Sequence, residues 1–160
     1  MARRSPAAGR LLVGLALAAL GAVGIALASQ YGFGMEPCPW CVLQRAIFVS
    51  VAIACLIAAA LRGLGRRVFS GLGLLLALCG IAAALWQHFQ AAASASCSLT
   101  LADRIMSRTL HLDALLPSVF EARASCADAA VSLLGVPYDF WSAAMFVLLA
   151  IGAWRAAARS

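Results

Sequence analysis

Two pairs of cysteines are the residues of this chain with the clearest chemistry. Cys38 and Cys41 lie three positions apart in Pro-Cys-Pro-Trp-Cys, and Cys97 and Cys126 follow at a wider spacing. A cysteine thiolate attacks disulfides and other electrophiles, and a neighbouring pair of thiols allows the disulfide to be passed on. The two pairs therefore predict disulfide exchange.

Cys41 is expected to be the better thiolate of the first pair. It begins a predicted helix or directly precedes it, and both a helix N-terminus and a nearby arginine favour the charged form of a thiol. Arg45 follows one helical turn later on the same face. We expect this arginine to hold an anion beside Cys41.

Structural disulfides and a zinc site are the alternatives for these cysteines. A bridge that closes a loop of about thirty residues constrains the unfolded chain by roughly 3–4 kcal/mol, so Cys97–Cys126 can be purely structural. Zinc needs two ligands besides Cys38 and Cys41. The candidates are Cys97, Cys126, His88 and His111, but no second Cys-x-x-Cys and no paired histidine spacing is present, so we expect no metal. Of the three possible pairings, we expect Cys38–Cys41 with Cys97–Cys126.

The composition predicts the solvent around these groups. Of the 160 residues, 64% are hydrophobic and 11% are charged, and the mean hydropathy is +0.97. Soluble domains are roughly half apolar, so most of this chain is expected to lie in lipid. The length fits a single membrane domain over residues 1–160, in which helices pack against each other.

Four segments are long and apolar enough to cross a bilayer, given about 20 helical residues per crossing. The predicted spans cover about 11–29, 42–61, 68–89 and 140–154, with loops at about 30–41 and 90–139. This predicts an all-α integral membrane four-helix bundle with a long loop between helices 3 and 4. Cys55 and Cys79 fall inside the spans, where we expect them to pack as small hydrophobic residues.

The charged residues predict the orientation in the membrane. The net charge is +6, with twelve arginines and no lysine. Arginines flank the predicted spans on one side, at Arg3, Arg4, Arg10, Arg62, Arg66, Arg67, Arg155 and Arg159. The positive-inside rule makes that side and both termini cytoplasmic. Both cysteine pairs then face the periplasm, where disulfides persist, and the positive charge is not expected to bind nucleic acid.

A cleaved signal peptide is the alternative for the first span. Ala26-Leu27-Ala28 before Ser29 has the small residues of a cleavage site. However, the apolar run 11–28 exceeds a typical signal-peptide core, and its removal would leave three spans with the two arginine-rich ends on opposite sides. We therefore expect the segment to remain as a span.

The loop at 90–139 is too polar to cross the membrane, yet it carries an apolar stripe typical of an amphipathic helix. The stripe comprises Leu101, Ile105, Leu112, Leu115, Leu116, Val119 and Phe120. Two arrangements are open. The stripe can lie in the membrane interface and hold Cys97 and Cys126 near the membrane, or the loop can form a small exposed cap.

The run Pro37-Cys38-Pro39-Trp40-Cys41-Val42-Leu43-Gln44-Arg45 resembles the Pro-Cys-x-x-Cys-x-x-x-Arg motif of the DsbB family of bacterial disulfide bond formation proteins. The resemblance extends over the chain, through four spans, a cysteine pair in each loop on one side, and a tail with Cys126-Ala127-Asp128, Leu134-Gly135 and Trp141. It implies an inner-membrane enzyme that reoxidises a DsbA-like thiol oxidase and passes electrons to a quinone, either ubiquinone or menaquinone.

The resemblance also implies the roles of the four cysteines. Cys97 would form the mixed disulfide with the DsbA-like partner, and Cys126 would be its redox partner. Cys38 would receive electrons from this second pair, and Cys41 would face the quinone and react with it.

Two further residues are candidates for contact with the quinone. By resemblance, Arg45 would stabilise the Cys41 thiolate and the charge of the reduced quinone, and its shallow position suggests that its guanidinium snorkels to the interface. His88, at the outer end of the third span, is a candidate quinone contact, with an ordinary interfacial histidine as the alternative. For Trp86 we expect a place in the aromatic belt.

Two other functions compete with this hypothesis. A quinone reductase similar to vitamin K epoxide reductase also uses Cys-x-x-Cys, but that family usually places the motif late in the chain, whereas Cys38 follows the first span. A non-catalytic four-helix scaffold with structural disulfides is the alternative outside the enzymes.

Overall fold

The computed structural model describes residues 6–91, 101–106 and 111–159. In chain order the elements are α1 (Pro6–Phe33), α2 (Pro39–Ala60), α3 (Leu64–Trp86), a π-helical turn (Gln87–Ala91), α4 (Leu101–Asp103), α5 (Leu112–Leu115), α6 (Pro117–Phe120), β1 (Ser132–Leu133), β2 (Val136–Pro137) and α7 (Tyr138–Ala158). The four long helices are the body of the protein.

All four long helices have the length and apolar composition to cross a membrane. The prediction of an all-α, multi-pass membrane bundle is therefore confirmed. The helices extend beyond the predicted apolar spans, most clearly α1 with 28 residues and α7 with 21. Polar residues at the ends, such as Gln30 and Asp139, lower the hydropathy of a segment without ending its helix.

The long helices pack in a ring. α1 contacts α2 and α7, and α3 contacts the same two helices from the other side. Close approach depends on small residues, as is typical of membrane helices. The rings of Phe48 and Phe146 stack at 3.9 Å with 6° between their planes, and a Cβ at Gly80 would overlap the Phe146 ring.

The outer surface of the bundle is apolar. Its exposed side chains include Leu17, Ile53, Leu75, Leu148 and Trp154, which suits contact with lipid. Cys55 is buried in the core as expected. Cys79 is exposed on α3, so the expectation that it packs inside the bundle was wrong; on α3 the core positions fall to Ala77 and Gly80 instead.

The first turn of α3 contains one of the arginines used to predict orientation. Arg66 is buried, and its Nε donates to the carbonyl oxygens of Ala58 at 3.3 Å and Leu61 at 3.2 Å. Carbonyls at a helix C-terminus have no partner within the helix. Arg66 therefore stabilises the end of α2 as well as adding positive charge to this turn.

The other end of the bundle, where α1 and α3 end and α2 and α7 begin, is here named the cysteine end. Residues 101–106 and 111–137, here named the cap, cover it. Apolar cap residues bury themselves against the start of α2, where Ala102, Met106 and Phe120 join one cluster with Trp40 and Leu43.

Hydrogen bonds also attach the cap to the bundle. The backbone N–H groups of Arg123 and Ala124 donate to the Pro37 carbonyl at 2.9 and 3.2 Å, and the Tyr31 hydroxyl donates to the Ser118 carbonyl at 2.6 Å. Of the apolar stripe, Phe120 packs onto protein, whereas Leu101, Leu115 and Leu116 are exposed, so both arrangements considered for this loop stay predictions.

A short hairpin leads from the cap into α7. Ser132 pairs with Pro137 and Leu133 with Val136. The two residues between the strands, Leu134 and Gly135, both have positive φ, at 55° and 79°. Two-residue hairpin turns of this kind require positive φ, which glycine adopts without strain. The hairpin fixes the direction from which α7 enters the bundle.

Candidate functional site

Cys38 and Cys41 occupy the first turn of α2. Cys38 is the N-cap, its sulfur accepts a hydrogen bond from the Cys41 backbone N–H at 3.2 Å, and Pro39 follows as a first-turn proline. The two sulfur atoms lie 2.7 Å apart. This separation places the two sulfur atoms close enough for a disulfide bond to form between them. The disulfide between them stays a prediction.

Cys126, a residue of the cap, lies next to the Cys38–Cys41 pair. It is buried in the cluster that contains Cys38 and Trp40. The Cys126 thiol beside Cys38, the contact with Cys41 and burial all raise the pKa of the Cys38 thiol. Cys97 lies outside the described residues, so its pairing with Cys126 stays a prediction.

Arg45 is buried, which corrects the expectation that it snorkels to the interface. Only 5% of it is exposed, because the cap lies over it. Its Nη1 donates to Gln30 Oε1 at 2.8 Å and to the Val119 carbonyl at 2.9 Å. The guanidinium thus joins α1, α2 and the cap, and it lies close enough to Cys41 for their charges to interact.

A network of buried side chains surrounds the Cys41 sulfur on its other side. Gln44 Nε2 donates to Gln87 Oε1 at 2.7 Å. Gln87 Nε2 donates to the Cys41 sulfur at 3.3 Å and also to Asp139 Oδ1. Residues from α2, α7 and the π-helical turn that follows α3 therefore form one network, which reaches the sulfur atom through Gln87.

His88 belongs to this network through Asp139. Its Nδ1 lies 3.5 Å from Asp139 Oδ2, and its ring contacts those of Phe89 and Phe140, with centroids at 4.9 and 4.5 Å. The predicted role of His88 as a quinone contact stays a prediction. Trp86 is exposed at the cysteine end, which suits its expected place in an aromatic belt.

A cavity of about 280 Å³ lies between α1 and α7, with Cys41 among its lining residues. Its polar lining includes Gln44, Arg45, Gln87 and Asp139, and its apolar lining includes Ala22, Val23, Phe48 and Met145. Ile25, Leu133 and Trp141 also line it and are exposed on the outer surface. The cavity therefore joins the apolar outside of the bundle to the Cys41 sulfur.

A second cavity, of about 470 Å³, lies at the cysteine end, and Cys41 and Arg45 line it too. Its other lining residues include Phe33, Met35, Glu36, Arg123 and Val131. Cys41 thus borders a cavity on each side. Within residues 6–91, 101–106 and 111–159, no three His, Cys, Asp or Glu side chains cluster as metal ligands.

Comparison with known proteins agrees with this geometry. The family model described as "Disulfide bond formation protein DsbB" matches residues 8–156. The chain belongs to the DsbB family. A DsbB-family protein is a membrane protein of disulfide bond formation, and the cysteine pair at the start of α2 is consistent with a disulfide oxidoreductase.

Several DsbB relatives match almost the whole chain. "Disulfide bond formation protein B" of Aromatoleum aromaticum is 34% identical over 155 residues, covering 93% of this chain and 92% of the relative. The protein of the same name in Pseudomonas syringae pv. tomato is 38% identical over 146 residues, covering 89% and 85%. That of Ralstonia nicotianae is 36% identical over 138 residues, covering 86% of each. No solved structure matches significantly.

The sequence prediction gave no role to three polar residues of this candidate site. Gln44, Gln87 and Asp139 are all buried within or at the ends of apolar helices. Polar residues inside membrane spans are rare and are usually functional, so their position was itself a signal. That signal does not say which of them meet, because Gln44 and Asp139 approach Gln87 from different helices.

Proposed function

We propose that this DsbB-family protein reoxidises a DsbA-like thiol oxidase in the periplasm and passes the electrons to a membrane quinone, ubiquinone or menaquinone. The observation that carries the proposal is the position of Cys41. Its sulfur lines the cavity between α1 and α7 and lies 2.7 Å from the Cys38 sulfur, and Cys38 lies in one buried cluster with Cys126. The sulfur atoms of Cys126, Cys38 and Cys41 therefore form a series from the cap to the cavity.

The proposed exchange begins at the cap. The dithiol of the partner reduces the Cys97–Cys126 disulfide through a mixed disulfide with Cys97, and the partner leaves with its own disulfide closed. The Cys126 thiolate then attacks the sulfur of Cys38, and Cys41 leaves as a thiolate. Attack of Cys97 on Cys126 restores their disulfide and frees Cys38 as a thiol. Two electrons have then moved from the partner to Cys38 and Cys41.

The raised pKa of Cys38 supports this order. When the Cys38–Cys41 disulfide opens, the sulfur that retains a proton is the poorer leaving group, since thiols of lower pKa leave faster. Cys41 is therefore the favoured leaving thiolate when Cys126 attacks Cys38. It leaves beside the Gln87 amide and near Arg45.

The lining of the cavity fits a quinone. Apolar side chains such as Val23, Phe48 and Met145 would hold the ring and the start of its isoprenoid tail, and the exposed rim offers an entry from lipid. Both bonds of Arg45 to protein use Nη1, and an arginine carries further donors on Nε and Nη2 that can reach a carbonyl oxygen. A quinone, when bound, accepts the two electrons and two protons released as Cys38 and Cys41 close to a disulfide.

The orientation of the bundle is part of the proposal. The cysteine end is assigned to the periplasm and both termini to the cytoplasm of a bacterial inner membrane. The arginines at the opposite end support this assignment, since positive residues concentrate in cytoplasmic loops. The cap then faces the compartment in which disulfides form.

The test is anaerobic quinone reduction by the purified protein in detergent, started with a reduced DsbA-like protein and followed optically. The native chain is compared with Cys41→Ser and Cys97→Ser. Cys79→Ser is the matched control, because Cys79 lies exposed on α3. We expect turnover in the native chain and the control, and none in the other two. Absence of turnover in the native chain with quinone bound would favour a structural role for the disulfides.

A further inference from the structure

We infer that Asp139 is a positioning residue, which fixes the side-chain amide of Gln87 so that its N–H group stabilises the Cys41 thiolate. This rests on the proposed function, in which Cys41 leaves as a thiolate. Asp139 does not contact the sulfur in this role; it acts through Gln87, which does.

Each hydrogen-bonding group of the Gln87 side-chain amide has a partner. A side-chain amide offers two N–H donors and one carbonyl acceptor. One N–H points to the Cys41 sulfur and the other to Asp139 Oδ1, while Oε1 accepts from Gln44 Nε2. Gln87 is only 2% exposed, so water has little access to substitute for any of these partners.

Asp139 is the partner that decides the direction of this amide. If the amide turned over, its oxygen would face the Asp139 carboxylate and the Cys41 thiolate, and neither of these anions can donate a hydrogen bond. Gln44 does not decide the direction, because its own amide can turn with that of Gln87. An ionised carboxylate accepts only, and so it holds the N–H edge of Gln87 toward itself and the sulfur.

The charge of Asp139 acts in the opposite sense. A negative charge near Cys41 opposes thiolate formation, whereas the donor that Asp139 holds in place favours it. His88 lies beside the second carboxylate oxygen of Asp139, with 3.5 Å between His88 Nδ1 and Asp139 Oδ2. Asparagine removes the charge and keeps an accepting oxygen, but its amide can turn, so it holds the direction of the Gln87 amide less firmly than a carboxylate does. Leucine removes both the charge and the acceptor.

The experiment measures the rate at which iodoacetamide alkylates Cys41 in the reduced full-length protein, at one neutral pH and without quinone or partner. Cys38→Ser is the common background, and mass spectrometry assigns the modified site. A hydrogen bond to a charged group shifts such an equilibrium by about tenfold or more, and the greater nucleophilicity of a more basic thiolate offsets part of this change in the rate. We expect Asp139→Leu and Gln87→Met each to slow alkylation about tenfold, and Asp139→Asn to react faster than Asp139→Leu.

The double variant Gln87→Met with Asp139→Leu sharpens the test. If Asp139 acts through Gln87, the double variant reacts no more slowly than Gln87→Met alone, since the two changes remove one interaction. A further tenfold loss would show that they act separately. Asp113→Leu, which removes a carboxylate from the cap, is the control and should react like the parent.

Two results would overturn the inference. If Asp139→Leu reacts faster than the parent, the carboxylate acts on Cys41 by its charge; if it reacts at the same rate, the amide does not need it. Should Asp139→Leu fail to fold, Gln87→Met and Asp139→Asn still decide, because an unaffected Met variant, or an Asn variant slower than the Met variant, contradicts the scheme. The assay contains no quinone, so failure of the proposed function leaves the expected rate order unchanged.

Discussion

The Arg45 side chain holds three parts of the protein together, and this makes it important for stability. Arg45→Met leaves Gln30 Oε1 and the Val119 carbonyl without their donor. An unsatisfied buried polar group costs about 1–3 kcal/mol, so we expect a loss of about 2–3 kcal/mol of unfolding free energy. Denaturant unfolding in detergent measures it.

Two controls accompany that measurement. Arg155→Met removes an exposed arginine near the end of α7 and should change stability by less than about 0.5 kcal/mol. Gln30→Leu removes only one of the two Arg45 acceptors, so its loss of unfolding free energy should lie between those of Arg45→Met and Arg155→Met. An Arg45→Met protein as stable as the parent would show that the guanidinium contributes to chemistry alone.

The raised pKa of the Cys38 thiol predicts how the alkylation of this residue depends on pH. Its raised pKa means that, at a given pH, less of it is thiolate than of an ordinary cysteine, whose pKa is about 8.5. We expect alkylation of Cys38, in a Cys41→Ser background that keeps Cys126 and the burial, to rise at higher pH in the folded protein than in the unfolded one, where it rises near about pH 8.5. A rise near pH 8.5 in both would contradict the prediction.

The proton on Cys38 also makes the stability of the folded protein depend on pH. Above about pH 8.5 the unfolded chain releases the Cys38 proton while the folded protein keeps it. The folded state then binds more protons, so its stability falls as the pH rises. This contribution is fully present at neutral pH.

At the scale of the elements, the contact between α3 and α7 depends on one glycine. A Cβ at Gly80 would overlap the Phe146 ring, whereas a Cβ at Gly71 of the same helix meets nothing within 4 Å. Overpacking costs about 1–3 kcal/mol. We therefore expect Gly80→Ala to destabilise the protein by that amount and Gly71→Ala to have no such cost. Thermal unfolding of the two variants side by side measures the difference, and equal losses would refute it.

The end of α3 shows how an irregular element serves the site. The helix passes into a π-helical turn over Gln87–Ala91, and π-helical turns often occur at functional sites. In this turn Gln87 faces Cys41 and its neighbour His88 approaches Asp139. Apolar periodicity predicts that a helix continues here, but it does not reveal the change in winding.

For the whole molecule, orientation in the membrane gives a prediction. Leu134, 87% exposed at the hairpin turn, and Leu64, 77% exposed at the start of α3, lie at opposite ends of the bundle. In a cysteine-free background, we expect Leu134→Cys to be labelled in intact spheroplasts by a membrane-impermeant maleimide. Leu64→Cys should be labelled only after permeabilisation. The reverse pattern would place the cap in the cytoplasm.

The architecture could be predicted from sequence because it depends on local averages. Four apolar segments gave the four helices, and the Pro-Cys-x-x-Cys spacing gave a cysteine pair at the start of α2. The site was only partly predictable, because its contacts join distant positions. Arg45 is buried by Val119, 74 residues away, and Gln87 meets Asp139, 52 residues away. Neither spacing leaves a periodic signal in the sequence.

The rim of the cavity between α1 and α7 has a consequence for inhibitors. Because Ile25, Leu133 and Trp141 are exposed on the apolar outside of the bundle, a hydrophobic inhibitor would first dissolve in the bilayer and then reach the cavity from there. Its effective concentration is its mole fraction in lipid. Two preparations with the same total dose and different amounts of lipid or detergent would then give different apparent potencies, so inhibition constants for this protein should be compared per mole of amphiphile.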